Sequence, residues 1–195
     1  MDEGLPDIEV QRKMVLSMVR AVLGTQRYTY LSGPITTGRR FVEWQREHGR
    51  PIADADEWKR ERVRAVITPS CDALFQEAET LRGSGRHVID PGSFEARDRM
   101  WQQSDYYRLW DEVITAHASE VCFVNGWEFS AGCVLEYGCA LKCGRPTRTM
   151  AGEDMSKAAA FALIQDALVH LRDEDEQITK LRDDIIRYRA AIEME

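Results

Sequence analysis

Residues 120–145 read E-V-C-F-V-N-G-W-E-F-S-A-G-C-V-L-E-Y-G-C-A-L-K-C-G-R, and the reading of this stretch decides the fold. The apolar run at 121–124 has the length and composition of a buried strand. A loop follows through Asn125, Gly126, Trp127, Glu128 and Phe129. Ser130 then stands where a helix N-cap belongs, since its hydroxyl can accept from an unpaired N–H of the first turn. Val134, Leu135, Cys139 and Ala140 recur at helical spacing, and Gly144 and Pro146 end the helix. The predicted unit is strand, loop, helix. Glu136 is one carboxylate two turns into a helix that otherwise reads as core. Burying a carboxylate is costly unless it is paired or used, so Glu136 is either a buried ion-pair partner or a chemical group.

Upstream, Tyr28-Thr29-Tyr30-Leu31 reads as a strand of β-forming residues. It runs straight into Ser32-Gly33-Pro34-Ile35-Thr36-Thr37-Gly38-Arg39-Arg40. Small residues let backbone N–H groups approach an anion, and hydroxyls and guanidinium groups can complete a phosphate or sugar cradle. The loop is neither a P-loop nor the G-x-G-x-x-G fingerprint. An ordinary strand-to-helix turn with solvated arginines is the competing reading.

The remaining chain supplies the frame. Residues 41–55 are polar and irregular, as in an insertion or lid. Residues 56–66 form a charged helix with a solvated face. Thr68-Pro69 restarts a helix, with Thr68 as its cap, that runs to about Leu81. A short strand at 86–89 exits at Asp90-Pro91. The span 94–110 is rich in aromatics (Phe94, Trp101, Tyr106, Tyr107, Trp110), which suit either base stacking or core. Ser104 or Asp105 caps a helix to about His117 that carries Asp111 and Glu112. A last strand falls at 147–150 and an amphipathic helix at 158–171. At the chain ends, 7–23 carries a helical apolar stripe. Ile178, Leu181, Ile185, Tyr188 and Ile192 form a narrow seam that packs on this chain or on a sister subunit.

Strands alternating with helices predict an α/β fold with a parallel sheet covered on both faces. Ligands in such folds bind beyond the carboxyl ends of the strands. The 32–40 loop, the Asp90 exit and the 125–136 stretch all fall there. At 195 residues one domain is expected: a core at 27–150, an N-terminal helix within 1–26 and C-terminal helices at 155–195. The net charge of −7 argues against a nucleic acid polymer as partner. No apolar run reaches the roughly 20 residues of a membrane span. Five cysteines, an odd number, fit reduced thiols and a cytoplasmic location. Cys139 and Cys143 lack the further His or Cys that a metal site needs.

The chain resembles the nucleoside 2-deoxyribosyltransferase-like superfamily, which includes the nucleoside 5′-monophosphate N-glycosidases. The resemblance rests on Tyr30-Leu31-Ser32-Gly33-Pro34-Ile35-Thr36, on Asp90-Pro91, and on Gly126-Trp127-Glu128-x-Ser130-x-Gly132-x-x-x-Glu136-x-x-x-Ala140. It covers residues 28–149. It implies a flavodoxin- or Rossmann-like three-layer sandwich with four to five parallel strands, plus the extra terminal helices. It also implies that Glu136 is the nucleophile attacking the anomeric carbon, assisted by a helix carboxylate, Asp111 or Glu112. Tyr30 or a nearby aromatic would stack on or border the base. Ser32, Gly33, Pro34, Ile35, Thr36, Gly38, Arg39, Arg40, Asp90, Asn125, Gly126, Trp127, Ser130 and Gly132 would bind substrate. The deoxyribosyltransferases have an aspartate six residues before the nucleophile, where this chain has Ser130. A hydroxyl at a helix N-terminus suits a phosphate that an aspartate would repel. The expectation is therefore hydrolysis of a nucleoside 5′-monophosphate without metal or cofactor, in a homodimer or larger assembly. Base transfer, an NAD-type glycohydrolase and a non-catalytic nucleotide-binding module are the alternatives.

Overall fold

The computed structural model describes residues 7–24, 26–94 and 101–194. The side chain of Phe94 and the 95–100 part of the aromatic-rich span lie outside the described residues. Four strands form one parallel sheet: β1 (Tyr28–Ser32), β2 (Val88–Ile89), β3 (Ala118–Phe123) and β4 (Thr147–Thr149), in the order β2-β1-β3-β4. Tyr30 pairs with Ile89 on one side and Val121 on the other. The chain leaves β1 toward β2 and returns on the opposite side to β3. The carboxyl ends of β1 and β3 therefore diverge at a topological switch point, where a crevice opens.

Alternation along the strands divides the core in two. Leu31 and Cys122 face α4 (Thr68–Gly83), packing with Leu74, Ala78 and Leu81. Tyr30, Val121 and Phe123 face the other way, into the larger cluster built by α5 (Gln103–His117), α6 (Ala131–Lys142), α7 (Lys157–His170) and α8 (Glu176–Glu193), with Leu16 and Val19 of α1 (Ile8–Leu23). Helices on both faces make this the Rossmann-like three-layer arrangement.

The structure corrects two readings of the middle of the chain. Residues 41–55 are not an irregular lid. Arg39–Trp44 is a short helix, α2, that continues as a π-helical segment, Gln45–Gly49, and buries Phe41, Val42, Trp44 and Gln45. Polar residues dominate there because the segment is tied down by charge: Arg46 donates to Asp173 at 2.8 Å, Arg50 pairs with the same carboxylate, and Gln45 donates to Asp175 at 3.0 Å. Thr68 does not cap a new helix. The charged helix α3 (Ala55–Arg62) passes through a π-helical turn, Val63–Ile67, directly into α4, and Pro69 sits within the first turn of α4, where its missing N–H costs little. Neither Ser104 nor Asp105 caps α5: Gln102 is its N-cap, and Asp105, at the third helical position, completes a capping box by accepting from the Gln102 N–H at 2.8 Å.

The C-terminal seam is used within the chain. Ile178, Leu181, Ile185 and Ile192 are buried on α8. Gly138 lets α8 approach α6, because a Cβ there would meet Ile192 Cγ1 at 2.9 Å. No described helix is long and apolar enough to cross a membrane.

Candidate active site

Glu136 projects from the second turn of α6 toward the carboxyl end of β1. Tyr30 Oη donates to its Oε1 at 2.7 Å and Ser32 Oγ to its Oε2 at 2.6 Å. Both donors come from β1 because alternate residues of a strand share a face. Tyr30 and Ser32 are fully buried. Burial pushes the Glu136 carboxyl up to about 7, although the Ser32 and Tyr30 hydrogen bonds pull in the opposite direction. Burial and the neighbouring Glu136 charge likewise hold the Tyr30 phenol far above its ordinary range. No cation pairs with this carboxylate among the described residues, so Glu136 is not a buried ion-pair partner. Each carboxylate oxygen accepts one hydrogen bond and keeps a further lone pair for chemistry.

Ser130 is the N-cap of α6, as predicted, and accepts from the Cys133 N–H at 3.4 Å. Its hydroxyl also accepts from Thr37 Oγ1 at 3.1 Å, which fastens the loop after β1 to the start of α6. The loop is held from behind by Arg62, whose Nη2 donates to the Thr36 carbonyl at 2.5 Å while its guanidinium stands over Phe41 and Trp58. Gly38 closes the loop at φ 103°, a conformation glycine adopts readily.

Two cavities flank this loop. A cleft of about 50 Å³ contains Glu136, with Gly33, Ile35 and Thr36 on one side and Ser130 and Gly132 on another. Tyr106, Tyr107 and Trp110 of α5 form its aromatic wall. A larger chamber of about 350 Å³ lies beyond Thr37 and is lined by Pro34, Arg39, Arg40, Asn125 and Gly126, with Ser70 and Glu77 of α4 opposite. The residues predicted to bind substrate thus divide between two spaces: the arginines do not share the cleft of Glu136.

Seven predicted residues line neither space: Tyr30 and Ser32 stand behind Glu136, Gly38 closes the loop, and four others, Trp127, Asp90, Glu112 and Asp111, are placed as follows. Trp127 is buried in the core against Phe123 and Tyr137. Asp90 is a buried turn residue that accepts from the Gly92 N–H and the Ser93 hydroxyl, and so shapes the exit that presents Pro91 to the cleft. Glu112 pairs with Arg12 of α1. Asp111 is exposed and borders a small adjoining depression between α5 and α6, which Tyr107, Trp110 and Glu136 also line. Neither helix carboxylate lines the cleft, whose described side chains with polar atoms other than Glu136 are Gln103, Tyr106, Tyr107, Trp110, Thr36, Ser130 and Cys133.

Thr37, Arg62, Gln103 and Cys133 were not singled out from the sequence. Arg62 sits in a run of alternating charge that reads as solvated, and its acceptor is 26 positions away. Thr37 was legible only as one hydroxyl of the loop. Among the described residues no group of three or more His, Cys, Asp or Glu side chains could hold a metal ion.

Residues 68–149 match the family described as "Domain of unknown function (DUF4406)". The matched stretch runs from α4 to β4 and contains Ser130, Gly132 and Glu136. No curated protein and no solved structure matches the chain.

Proposed function

We propose that the protein is an N-glycosidase that hydrolyses the bond between base and sugar in a nucleoside 5′-phosphate, the 5′-monophosphate being the smallest member of that class. The observation that carries this reading is Glu136: a carboxylate with no cation paired to it among the described residues, held by two hydroxyls at the bottom of an aromatic-walled cleft beside a helix N-terminus. The relationship of the DUF4406 family to nucleoside deoxyribosyltransferase-like proteins supports it.

The chemistry follows from the charge that develops at the sugar. As the glycosidic bond breaks, C1′ acquires oxocarbenium character, and an adjacent carboxylate stabilises that cation and can bond to it. In the first step a Glu136 oxygen bonds to C1′. The C1′–N electron pair leaves with the base, which takes up a proton. In the second step water attacks C1′, the ester bond breaks, and Glu136 returns as a carboxylate while the water releases a proton. The Tyr30 and Ser32 hydrogen bonds favour the charged form of Glu136, and the ionised fraction rises steeply near neutrality. Tyr106, Tyr107 and Trp110 offer the base a face to stack on. Ser130 and the N-terminus of α6 offer the phosphate a hydroxyl and a positive dipole end. Leaving-group assistance falls to cleft hydroxyls and water, because Glu112 is paired with Arg12 and Asp111 lines the adjoining depression rather than the cleft.

The test is product chromatography after incubation with nucleoside 5′-phosphates, ribo and deoxy, beside the free nucleosides. Free base from one or more phosphates, abolished in Glu136→Ala, is the expected result. Turnover retained in Glu136→Ala sinks the assignment. Base released from nucleosides alone, or exchanged for an added second base, moves the protein to the transferase branch.

A further inference from the structure

The chamber beyond Thr37 has a composition that a monophosphate leaves unexplained. Arg39 and Arg40 line it, both exposed, and neither is in an ion pair among the described residues. Arg39 is held in place by Phe129, whose ring lies 4.4 Å from the guanidinium carbon. Stacking of this kind fixes the guanidinium plane and leaves its N–H edges free for an anion. Among the described residues the only acidic group on the lining is Glu77, on the α4 wall opposite the arginines.

The partition between the spaces is one hydrogen bond thick. Ser130 lines the cleft, Thr37 lines the chamber, and their hydroxyls are 3.1 Å apart. A phosphate bound to the Ser130 hydroxyl therefore sits at the mouth of the chamber. A cleft of about 50 Å³ beside one of about 350 Å³ also places most of the free volume on the phosphate side of Glu136. That larger volume is typical of a pre-formed ligand pocket and far exceeds what one phosphate fills.

We infer that the chamber receives a second phosphate and the group esterified to it, so that the substrate belongs to the nucleoside 5′-diphosphate class rather than ending at the first phosphate. This rests on the N-glycosidase reading above. The first phosphate takes the Thr37–Ser130 gap at the α6 N-terminus, and the second faces Arg39 and Arg40. Glu77, Ser70 and Asn125 are left to accept from or donate to hydroxyls of the esterified group.

The experiment is calorimetric binding to the Glu136→Gln variant, which does not consume the ligand, using the mono- and diphosphates of adenosine, cytidine, guanosine and uridine in pairs. For at least one base the diphosphate should bind tenfold tighter or better. That ratio should fall toward one when Arg39→Ala and Arg40→Ala are added. If Glu136→Gln does not fold, the same ratio is read from KM in the otherwise unaltered protein. Equal affinities within every pair, no binding at all, or a preference that survives loss of both arginines overturns the inference. Failure of the glycosidase reading looks different: the diphosphate preference and its arginine dependence persist, yet the protein with Glu136 intact releases no base from any nucleotide.

Discussion

Ser32 and Glu136 lie 104 positions apart in the chain, and their side chains meet at 2.6 Å. Ser32 ends β1 and Glu136 stands in the second turn of α6, so the contact exists only because β3 lies beside β1 and delivers α6 over its carboxyl end. Together with the Tyr30 hydrogen bond it keeps a half-buried carboxylate titrating near neutrality.

That titration predicts the pH dependence of turnover. With Glu136 at about 7, the nucleophilic form is gained as pH rises, and kcat/KM should show an acid limb with an apparent pKa near 7. Tyr30→Phe removes a hydrogen bond that favours the carboxylate, so the limb should move to higher pH, and activity at pH 7 should fall about fivefold for the first unit of displacement and nearly tenfold for each further one. A pH–rate profile of both proteins reads this directly. A limb that stays in place in Tyr30→Phe would show that another group governs it.

The same shift predicts a stability change of opposite character to the usual carboxylate. Glu136 titrates higher in the fold than its ordinary 4.5, so the native state holds the proton longer than the unfolded chain. Its contribution is therefore fully present below about 4.5, declines as pH rises, and is lost above about 7. Relative to the native protein, Glu136→Gln should gain about 1–3 kcal/mol of stability on going from pH 4.5 to pH 8. Urea unfolding of both proteins at the two pH values measures the difference.

Ser130→Asp should preserve the helix start, because aspartate is as good an N-cap as serine. It also places a fixed negative charge beside Thr37, where a phosphate would bind. Turnover of 5′-phosphates should fall at least a hundredfold while the melting temperature changes little. Unaltered kcat/KM would place the phosphate away from the α6 N-terminus.

Gly38→Ala should disturb the loop without touching Glu136. The backbone is at φ 103° and a Cβ would meet Pro34 Cβ at 2.5 Å. A cost of about 1–3 kcal/mol is expected from the strained conformation and the clash. Thermal or denaturant unfolding gives the number, and KM should rise because Pro34 and Thr37 move with the turn.

The acidic clamp at the C-terminal junction should matter as much as a core residue. Asp173 is partly buried, which raises its carboxyl, but hydrogen bonds from Arg46 and the Asp175 N–H prevail and lower it to about 2. Asp173→Ala should destabilise the protein by about 1–2 kcal/mol through loss of these bonds. The loss should vanish when both proteins are compared below about pH 2, where the carboxyl is protonated. Acid and neutral denaturant curves provide the comparison.

Local pattern determined much of this protein from the sequence alone. The apolar run of β3, the N-cap at Ser130, the buried periodicity of α6 and the β-forming run before Ser32 each depend on neighbours within one or two turns, and each was legible. So was the oddity of Glu136, because a carboxylate on a core-facing stripe conflicts with its surroundings whatever the fold. The same locality explains the misses. The 41–49 segment reads as irregular because its partners, Asp173 and Asp175, lie more than 120 positions away. Trp127 reads as a site residue because a loop aromatic carries no sign of whether it faces Phe123 or a ligand. Glu112 of α5 points away from the cleft because helix rotation against α1 and α6 is set by packing, which pairs it with Arg12 and leaves Asp111 in the adjoining depression. Only the tertiary structure decided that Arg39 and Arg40 lie across the Thr37–Ser130 contact from Glu136. The spacing of residues along a chain fixes which face of an element they share; which cavity that face closes depends on contacts between elements that the sequence does not order.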